Sequence, residues 1–212
     1  MMDSFLTIVL VMSALLLFRV GKVADAVAII ALQSGILATC GIMMWWQTGI
    51  GHLLTAAVMT LAVKVVLIPL ILYSVAKGEV AKRKIKRIFT ADRCLFVAIV
   101  LMIIGYHVAS YLDLPATAYG QTYLESSIIL LLLGTFTMIA HNHPIMQGIG
   151  LITIENAIFL ITIGISYGMP LFIEIGILFD MLISAGVIAT LTLKIYTAFH
   201  SVNTSRMRNL KG

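Results

Sequence analysis

Seven long runs of apolar residues constrain this chain more than any other feature of its sequence. A helix that crosses a bilayer needs roughly 20 mostly apolar residues, and its backbone polar groups must be satisfied within the segment. Runs of this kind occupy residues 4–20, 26–46, 51–76, 94–113, 124–141, 145–168 and 171–195. The sequence therefore predicts an all-α integral membrane protein with about seven transmembrane helices.

The composition agrees with this interpretation and narrows the possible functions. Of the 212 residues, 61% are hydrophobic and 11% are charged, whereas a soluble domain has about 25% charged residues. The two cysteines, Cys40 and Cys94, have no spacing typical of an iron–sulfur site, a zinc site or a disulfide framework. No phosphate-binding loop, dinucleotide fingerprint or catalytic triad pattern is present. We therefore expect no cofactor and no catalytic residue in this chain.

The lysines and arginines predict the orientation in the membrane. All but one follow the first, third or seventh run, which places them on one side when the runs alternate in direction. They are Arg19, Lys22, Lys77, Lys82, Arg83, Lys84, Lys86, Arg87, Arg93, Lys194, Arg206, Arg208 and Lys211. The positive-inside rule makes that side cytoplasmic, with the N-terminus outside and the C-terminus inside. The basic loop 77–93 is expected to fix topology and to attract anionic lipid rather than nucleic acid.

Three ionisable residues lie near the middle of predicted spans: Lys64, Glu155 and Asp180. A central Asp, Lys or Arg costs about 2.5–3.5 kcal/mol on insertion scales, so these side chains must face protein or trapped water. Small and polar neighbours at helical spacing, such as Thr60 and Ser184, favour close helix packing and hydrogen bonding around them.

Intramembrane ionisable residues commonly line ion paths or proton relays. We therefore predict proton-transfer roles for Glu155, Asp180 and Lys64, and add His107, which lies between the centre and the outer face of its span. Asn156, beside Glu155, is a supporting polar residue. Pro69, one turn after Lys64, removes a backbone donor and can kink the helix and admit water.

Simpler structural interpretations stay open for each of these residues. Glu155 and Lys64 can form a buried salt bridge that only fixes helix packing, and Asp180 can be a plain interhelical hydrogen-bonding group. His107 can be a satisfied core histidine. His141 and His143, in the segment "HNHP", are interpreted as loop residues, because a metal site there would need two further ligands.

The segment from about Ser126 onward resembles the small three-helix membrane subunit of respiratory complex I. The shared order of parts is a polar turn ("MIAHNHP"), an acid with Asn-Ala ("GLITIENA") and a span with a central acid ("IGILFDMLISAG"). The whole chain is more similar to the hydrogenase-4 component E family, through "VKVVLIPLIL" around Lys64, "ENA" at Glu155, "IEIGILFD" before Asp180 and the ending "RNLKG". In the three-helix subunit the key glutamate directly follows Gly-Leu, whereas here Ile152 holds that place.

The resemblance implies two regions: an N-terminal four-helix region over 1–120 and a C-terminal three-helix module with a short cytoplasmic tail over 121–212. It also implies a non-catalytic subunit of a formate hydrogenlyase-type, membrane-bound [NiFe] hydrogenase in the cell inner membrane. Partner subunits would hold the nickel–iron and iron–sulfur centres. This chain would bridge antiporter-like subunits and the membrane anchor of the hydrogenase, and would add charged residues to a proton or sodium path.

Two alternatives to that function remain. A stand-alone secondary transporter is disfavoured because no inverted repeat and no matching pair of broken helices is evident. A purely structural scaffold would tolerate neutralisation of the central charges without loss of ion coupling. A retinal protein would need a central lysine in the last span, where this chain has Asp180.

Overall fold

The computed structural model describes residues 2–75, 85, 87–112, 120–166 and 171–199, and these residues form helices and short turns without any strand. The helices are α1 (Met2–Leu16), α2 (Val23–Thr48), α3 (residues 51–75), α4 (Ala91–Tyr111), α5 (Gly120–Ala140), α6 (Pro144–Ser166) and α7 (Leu171–Phe199). Most of the basic loop after α3 and the basic C-terminal tail lie outside the described residues.

Six of the described helices, α2 to α7, are long and apolar enough to cross a bilayer. The prediction of a helical, multi-pass membrane protein is therefore confirmed. The first predicted span is shorter than expected, since the 15 residues of α1 extend only about 22 Å at 1.5 Å per residue. The chain continues from α1 as a tight turn in which Leu17 and Phe18 are fully buried. A seventh crossing remains a prediction.

The turns that follow α1, α3 and α5 meet at one end of the bundle. The backbone N–H of Ile85 donates to the Gly21 carbonyl (3.1 Å), and that of Ile88 donates to the Ala140 carbonyl (3.0 Å). The Arg87 guanidinium donates to the Val20 carbonyl. Helices that alternate in direction produce this arrangement. The side of the membrane on which this end lies remains a prediction.

Helix α6 occupies the centre of the bundle, in contact with α5, α2 and α7. Its contact with α5 is the closest in the fold, because glycines face each other across it. A Cβ atom on Gly150 would lie 2.8 Å from the Gly134 carbonyl oxygen, and one on Gly134 would lie 2.9 Å from the Gly150 oxygen. Small residues let membrane helices approach in this way. The tight hairpin fixes the direction in which the other face of α6 presents its side chains.

The remaining helices surround this hairpin. α1 lies against α2 and α5, α4 packs mainly against α5, and α3 lies between α2 and α7. The predicted boundary at residue 120 coincides with the start of α5, and helices from the two sides of it pack together. The two-region division stays a prediction.

Helix α3 has a wide π-helical segment, Leu61–Leu67, in its middle. At its end the N–H of Ile68 donates to the Val63 carbonyl, five residues back instead of four. Pro69 gives a physical reason, because proline has no N–H and its ring would clash with the carbonyl four residues before it. The wide turn also keeps Thr60, Lys64, Ile68 and Leu72, each four residues apart, buried on one side of the helix.

Candidate functional site within the membrane

Lys64 and Glu155 form an ion pair inside the bundle. The Lys64 Nζ atom lies 3.7 Å from Glu155 Oε2, and the two side chains are 3% and 12% exposed. α3 supplies the lysine from its π-helical segment, and α6 supplies the glutamate. This arrangement satisfies the physical requirement inferred from the sequence, that charges at this depth face protein rather than lipid.

Asn156 extends the pair into a chain of polar side chains. Lys64 Nζ donates to Asn156 Oδ1 (3.2 Å), and Asn156 Nδ2 donates to Gln33 Oε1 (3.2 Å) and to Ser34 Oγ (3.3 Å). Asn156, Gln33 and Ser34 are completely buried. Three helices, α2, α3 and α6, therefore meet through hydrogen bonds between side chains, and the Lys64 ammonium group is held at a fixed point.

Gln33 and Ser34 are the two residues of this hydrogen-bonded network that the sequence analysis did not identify. Their signal is the pair "QS" in the middle of the second apolar run. An uncharged amide and a hydroxyl are less costly in a membrane helix than a charge, so they mark a site less strongly than Lys64 does.

A cavity of about 220 Å³ opens beside the ion pair, between α3, α6 and α7. Its polar lining consists of Thr60, Lys64, Glu155 and Asp180, and Ile158, Phe159, Ile177 and Leu178 complete the wall. This volume accommodates several water molecules, and the four polar side chains provide the hydrogen-bonding partners that water needs. Glu155 Oε2 makes no hydrogen bond within the described part of the chain.

The other predicted site residues are distributed unevenly around this cavity. Asp180 lies on its wall and is exposed at the outer side of α7, and Ser184 lines a smaller neighbouring cavity that also contacts Glu155. Pro69 lines a separate groove between α2 and α3. His107 is exposed on α4, which packs mainly against α5, and the structure does not bring it to the charged cluster.

A second buried polar group lies in the turn between α5 and α6. His141 is completely buried and His143 is 6% exposed, although the sequence indicates only a loop. The His141 Nδ1–H donates to the Thr137 carbonyl (2.9 Å), and the ring stacks on Phe18. Arg87 pairs with this turn through an isolated backbone bridge to His141.

Burial holds both imidazoles of this turn in the neutral form. It lowers the pKa of His141, an effect that the hydrogen bond to the Thr137 carbonyl opposes and the nearby Arg87 charge reinforces. For His143, burial and the neighbouring His141 lower the pKa to about 4.

The chemistry available in the membrane cavity is that of acids, an amine, amides and a hydroxyl. Within the described ranges, no three His, Cys, Asp or Glu side chains converge in a way that would hold a metal ion. When all three groups are ionised, Lys64, Glu155 and Asp180 sum to one negative charge. Such a set can accept, release and transfer protons, or offer oxygen ligands to a small cation.

Comparison with known proteins adds no identification, because no family model, curated protein or solved structure matches this chain.

Proposed function

We propose that this chain is a membrane-arm subunit of a proton-translocating, or sodium-translocating, respiratory-type hydrogenase complex. The observation that carries the proposal is the buried Lys64–Glu155 pair, which borders a polar cavity shared with Asp180. In this role the subunit contributes a section of a hydrophilic ion path within the membrane.

A purely structural pair is a poor explanation for these charges. Replacing a buried ion pair by apolar residues of similar volume is often neutral or stabilising, so helix packing alone does not require them. Glu155 also leaves one oxygen without a hydrogen bond in the described chain, whereas a pair built only for stability is normally fully satisfied. The Glu155 side chain also borders a water-sized cavity, which suits proton exchange.

Each residue then has a distinct role. Glu155 accepts and releases a proton, and the Lys64 ammonium stabilises its carboxylate. Asn156 holds Lys64 in position through the amide chain to Gln33. Asp180, on the other wall of the cavity, receives the proton or passes it outward. Sodium remains an alternative coupling ion, since both carboxylates and Thr60 offer oxygen ligands.

The motifs around Lys64, Glu155 and Asp180 support the assignment to a hydrogenase of the formate hydrogenlyase kind. Under this proposal the cytoplasmic partner subunits hold the nickel–iron and iron–sulfur centres. This chain spans the cell inner membrane and bridges the antiporter-like subunits and the hydrogenase anchor. The proposed orientation is tested by a cysteine in place of the exposed Arg19, which should react with a thiol reagent only from the cytoplasmic side.

The substitution Glu155→Gln tests the ion path directly. It preserves the shape of the side chain and removes the titratable proton. We expect the complex to assemble, hydrogenase turnover with a soluble electron donor to persist, and proton translocation in vesicles to fall by about tenfold or more, which a loss of about 1.4 kcal/mol at the transfer step would produce. Unchanged pumping in this variant would overturn the relay.

Two further variants separate a relay from a packing role. Glu125→Gln neutralises an acid that lies outside the cavity and bonds to Gln121, and it should leave pumping unchanged. The double change Glu155→Gln with Lys64→Met removes both charges. A relay predicts that the double variant assembles and stays uncoupled, whereas a purely structural pair predicts that assembly and coupling return together.

A stand-alone secondary transporter is the second candidate, and the π-helical break of α3 beside Lys64 favours it, because transporters bind ions at interrupted helices. Purification distinguishes the two. The hydrogenase proposal requires that the chain co-purifies with antiporter-like and hydrogenase subunits. Ion transport by the isolated chain in liposomes would decide for the transporter.

A further inference from the structure

The outer face of α7 carries a carboxylate among small and apolar residues. Gly176, Asp180, Ile183, Val187 and Thr190 are all exposed, and they repeat at spacings of four, three, four and three residues. We call this set the α7 outer stripe. α1 and α4 expose several large apolar side chains, such as Ile8, Met12, Ile99 and Ile103, which suit contact with lipid.

Asp180 is the residue of the stripe that lipid cannot cover. It is exposed well within a long apolar helix, and it has no ion-pair partner in the described part of the chain. A carboxylate facing hydrocarbon is costly, and such groups almost always face protein or water. A protein partner would cover the exposed side of this carboxylate better than lipid does.

The charges near Asp180 define the chemistry of that partner. The cavity has one cation, Lys64, and two acids, Glu155 and Asp180, so one negative charge remains when all three are ionised. Lys64 lies 3.7 Å from Glu155 and also bonds to Asn156, and both of these partners belong to α6. A second cation, opposite Asp180, completes the balance.

We infer that the α7 outer stripe docks a transmembrane helix of another subunit, and that this helix carries a lysine or arginine opposite Asp180. A Cβ atom on Gly176 would meet no atom within 4 Å, so the backbone there is open to a close approach. The residues of the stripe lie on one face of the helix, as two helices that cross at a shallow angle require. The inference rests on the proposed membership of a membrane complex, but it does not require that the cavity conducts ions.

A second copy of this chain does not fit as the occupant. The mid-membrane cation of the chain is Lys64, which is 4% exposed and is held inside the bundle, so it cannot reach the Asp180 of a neighbour. Lipid headgroups lie at the membrane surface and do not reach this depth.

Site-specific photo-crosslinking in the intact complex tests the occupant. A benzophenone amino acid in place of Ile183, one turn from Asp180, should form an adduct with a transmembrane peptide that contains Lys or Arg. The same group in place of Ile103, exposed on α4, should give lipid adducts only. Adducts from position 183 with lipid only, with a second copy of this chain, or with a segment that lacks Lys and Arg would overturn the inference.

Charge exchange tests the pairing itself. Asp180→Lys should reduce the recovered complex by about tenfold, which corresponds to about 1.4 kcal/mol, and an acidic residue in place of the cross-linked partner's Lys or Arg should restore it. Full recovery of Asp180→Lys alone would contradict the docking. The two proposals fail separately: loss of pumping in Glu155→Gln with normal assembly of Asp180→Lys would reject only the docking, whereas a chain that purifies alone would reject membership of a complex.

Discussion

The polar cluster around Lys64 and the histidine turn after α5 accommodate buried polar groups in different ways. In the middle of the membrane, Lys64, Glu155 and Asn156 bond to side chains from other helices. In the turn between α5 and α6, His141 bonds to the backbone of its own helix, and one nitrogen of each histidine has no hydrogen bond among the described atoms. The first group pairs opposite charges, whereas the second avoids charge.

The comparison indicates that two factors decide how a polar group is accommodated. They are its depth in the membrane and the length of its side chain. Lys64 lies inside the bundle, away from bulk water, and is paired with an acid from another helix. A histidine near the end of the bundle remains neutral, because burial lowers its pKa, and a neutral imidazole costs less to desolvate than an ion. The mid-membrane group should therefore be the more sensitive to loss of a partner.

The largest effect should come from Asn156→Leu. This substitution removes three side-chain hydrogen bonds, including the 3.2 Å bond from Lys64. A hydrogen bond to a charged group is worth about 1.5–3 kcal/mol, and each buried group left unsatisfied costs about 1–3 kcal/mol, so little folded protein should be recovered from membranes. Thr153→Val is the matched control one turn earlier: its hydroxyl bonds only to the Ile149 carbonyl, and its loss should cost about 1 kcal/mol. If Asn156→Leu and Thr153→Val reduced the recovery of folded protein equally, the mid-membrane group would not be especially sensitive to loss of a partner.

A smaller effect is expected when the histidine turn is titrated. His143 has a pKa of about 4 in the folded chain, below its usual value near 6.5, so the unfolded chain binds the proton first as the pH falls. The free energy of unfolding should therefore decline between pH 6.5 and pH 4, by about 3 kcal/mol in total, and should be independent of His143 above pH 7. Thermal unfolding of wild type and His143→Gln at pH 7 and pH 5 measures this. If the stabilities of wild type and His143→Gln changed equally between pH 7 and pH 5, the His143 imidazole would not be held neutral.

The apolar contact between α5 and α6 provides a reference without polar groups. In Gly150→Ala, the new methyl would approach the Gly134 carbonyl oxygen to 2.8 Å and the Met138 Cγ atom to 2.5 Å. Overpacking of this kind costs about 1–3 kcal/mol, seen as a lower melting temperature. Gly35→Ala, whose methyl would lie 4.0 Å from Val65, should melt within a few degrees of wild type. A Gly150→Ala variant with the melting temperature of wild type would show that the hairpin is looser than its geometry indicates.

Gln33→Leu should lower the free energy of unfolding least, although it deletes an amide from the same hydrogen-bonded network as Asn156. It removes one acceptor of Asn156 Nδ2, but that amide keeps its bond to Ser34. It also removes the Gln33 Nε2 donor, which has no partner among the described atoms. The two changes oppose each other, so we expect a loss of about 1 kcal/mol in the same unfolding assay. A loss as large as that of Asn156→Leu would place Gln33 at the centre of the network.

The sequence predicted the helices and the charged residues well, because both leave strong physical signals. Apolar runs of membrane length became α2 to α7 with ends shifted by a few residues, and the cost of Lys64 and Glu155 implied that they face the interior. The pair between them was one of the open interpretations, and the structure confirms the contact itself. Its function stays a proposal.

The remaining features depend on three-dimensional contacts that single residues do not reveal. Pro69 signalled a distortion but not its form, a π-helical segment before the proline. Gln33 carries no charge and gave little indication of its place in the amide chain. His141 and His143 looked like loop residues, but both are buried, and Phe18 and Arg87 lie against His141.

The bond between Lys64 and Asn156 also has a consequence for biosynthesis. These residues are 92 positions apart, and at about 5–20 residues per second the ribosome needs roughly 5 to 20 s to travel from one to the other. During that interval the nascent α3 contains its lysine before α6 has been made. The helix compensates in its other residues, since its hydropathy is the highest of the six long helices, and a lysine can extend its chain toward a headgroup. Because α3 is synthesised first, it must insert into the bilayer through its own apolar residues. α6 is synthesised later, and its Asn156 then binds the lysine.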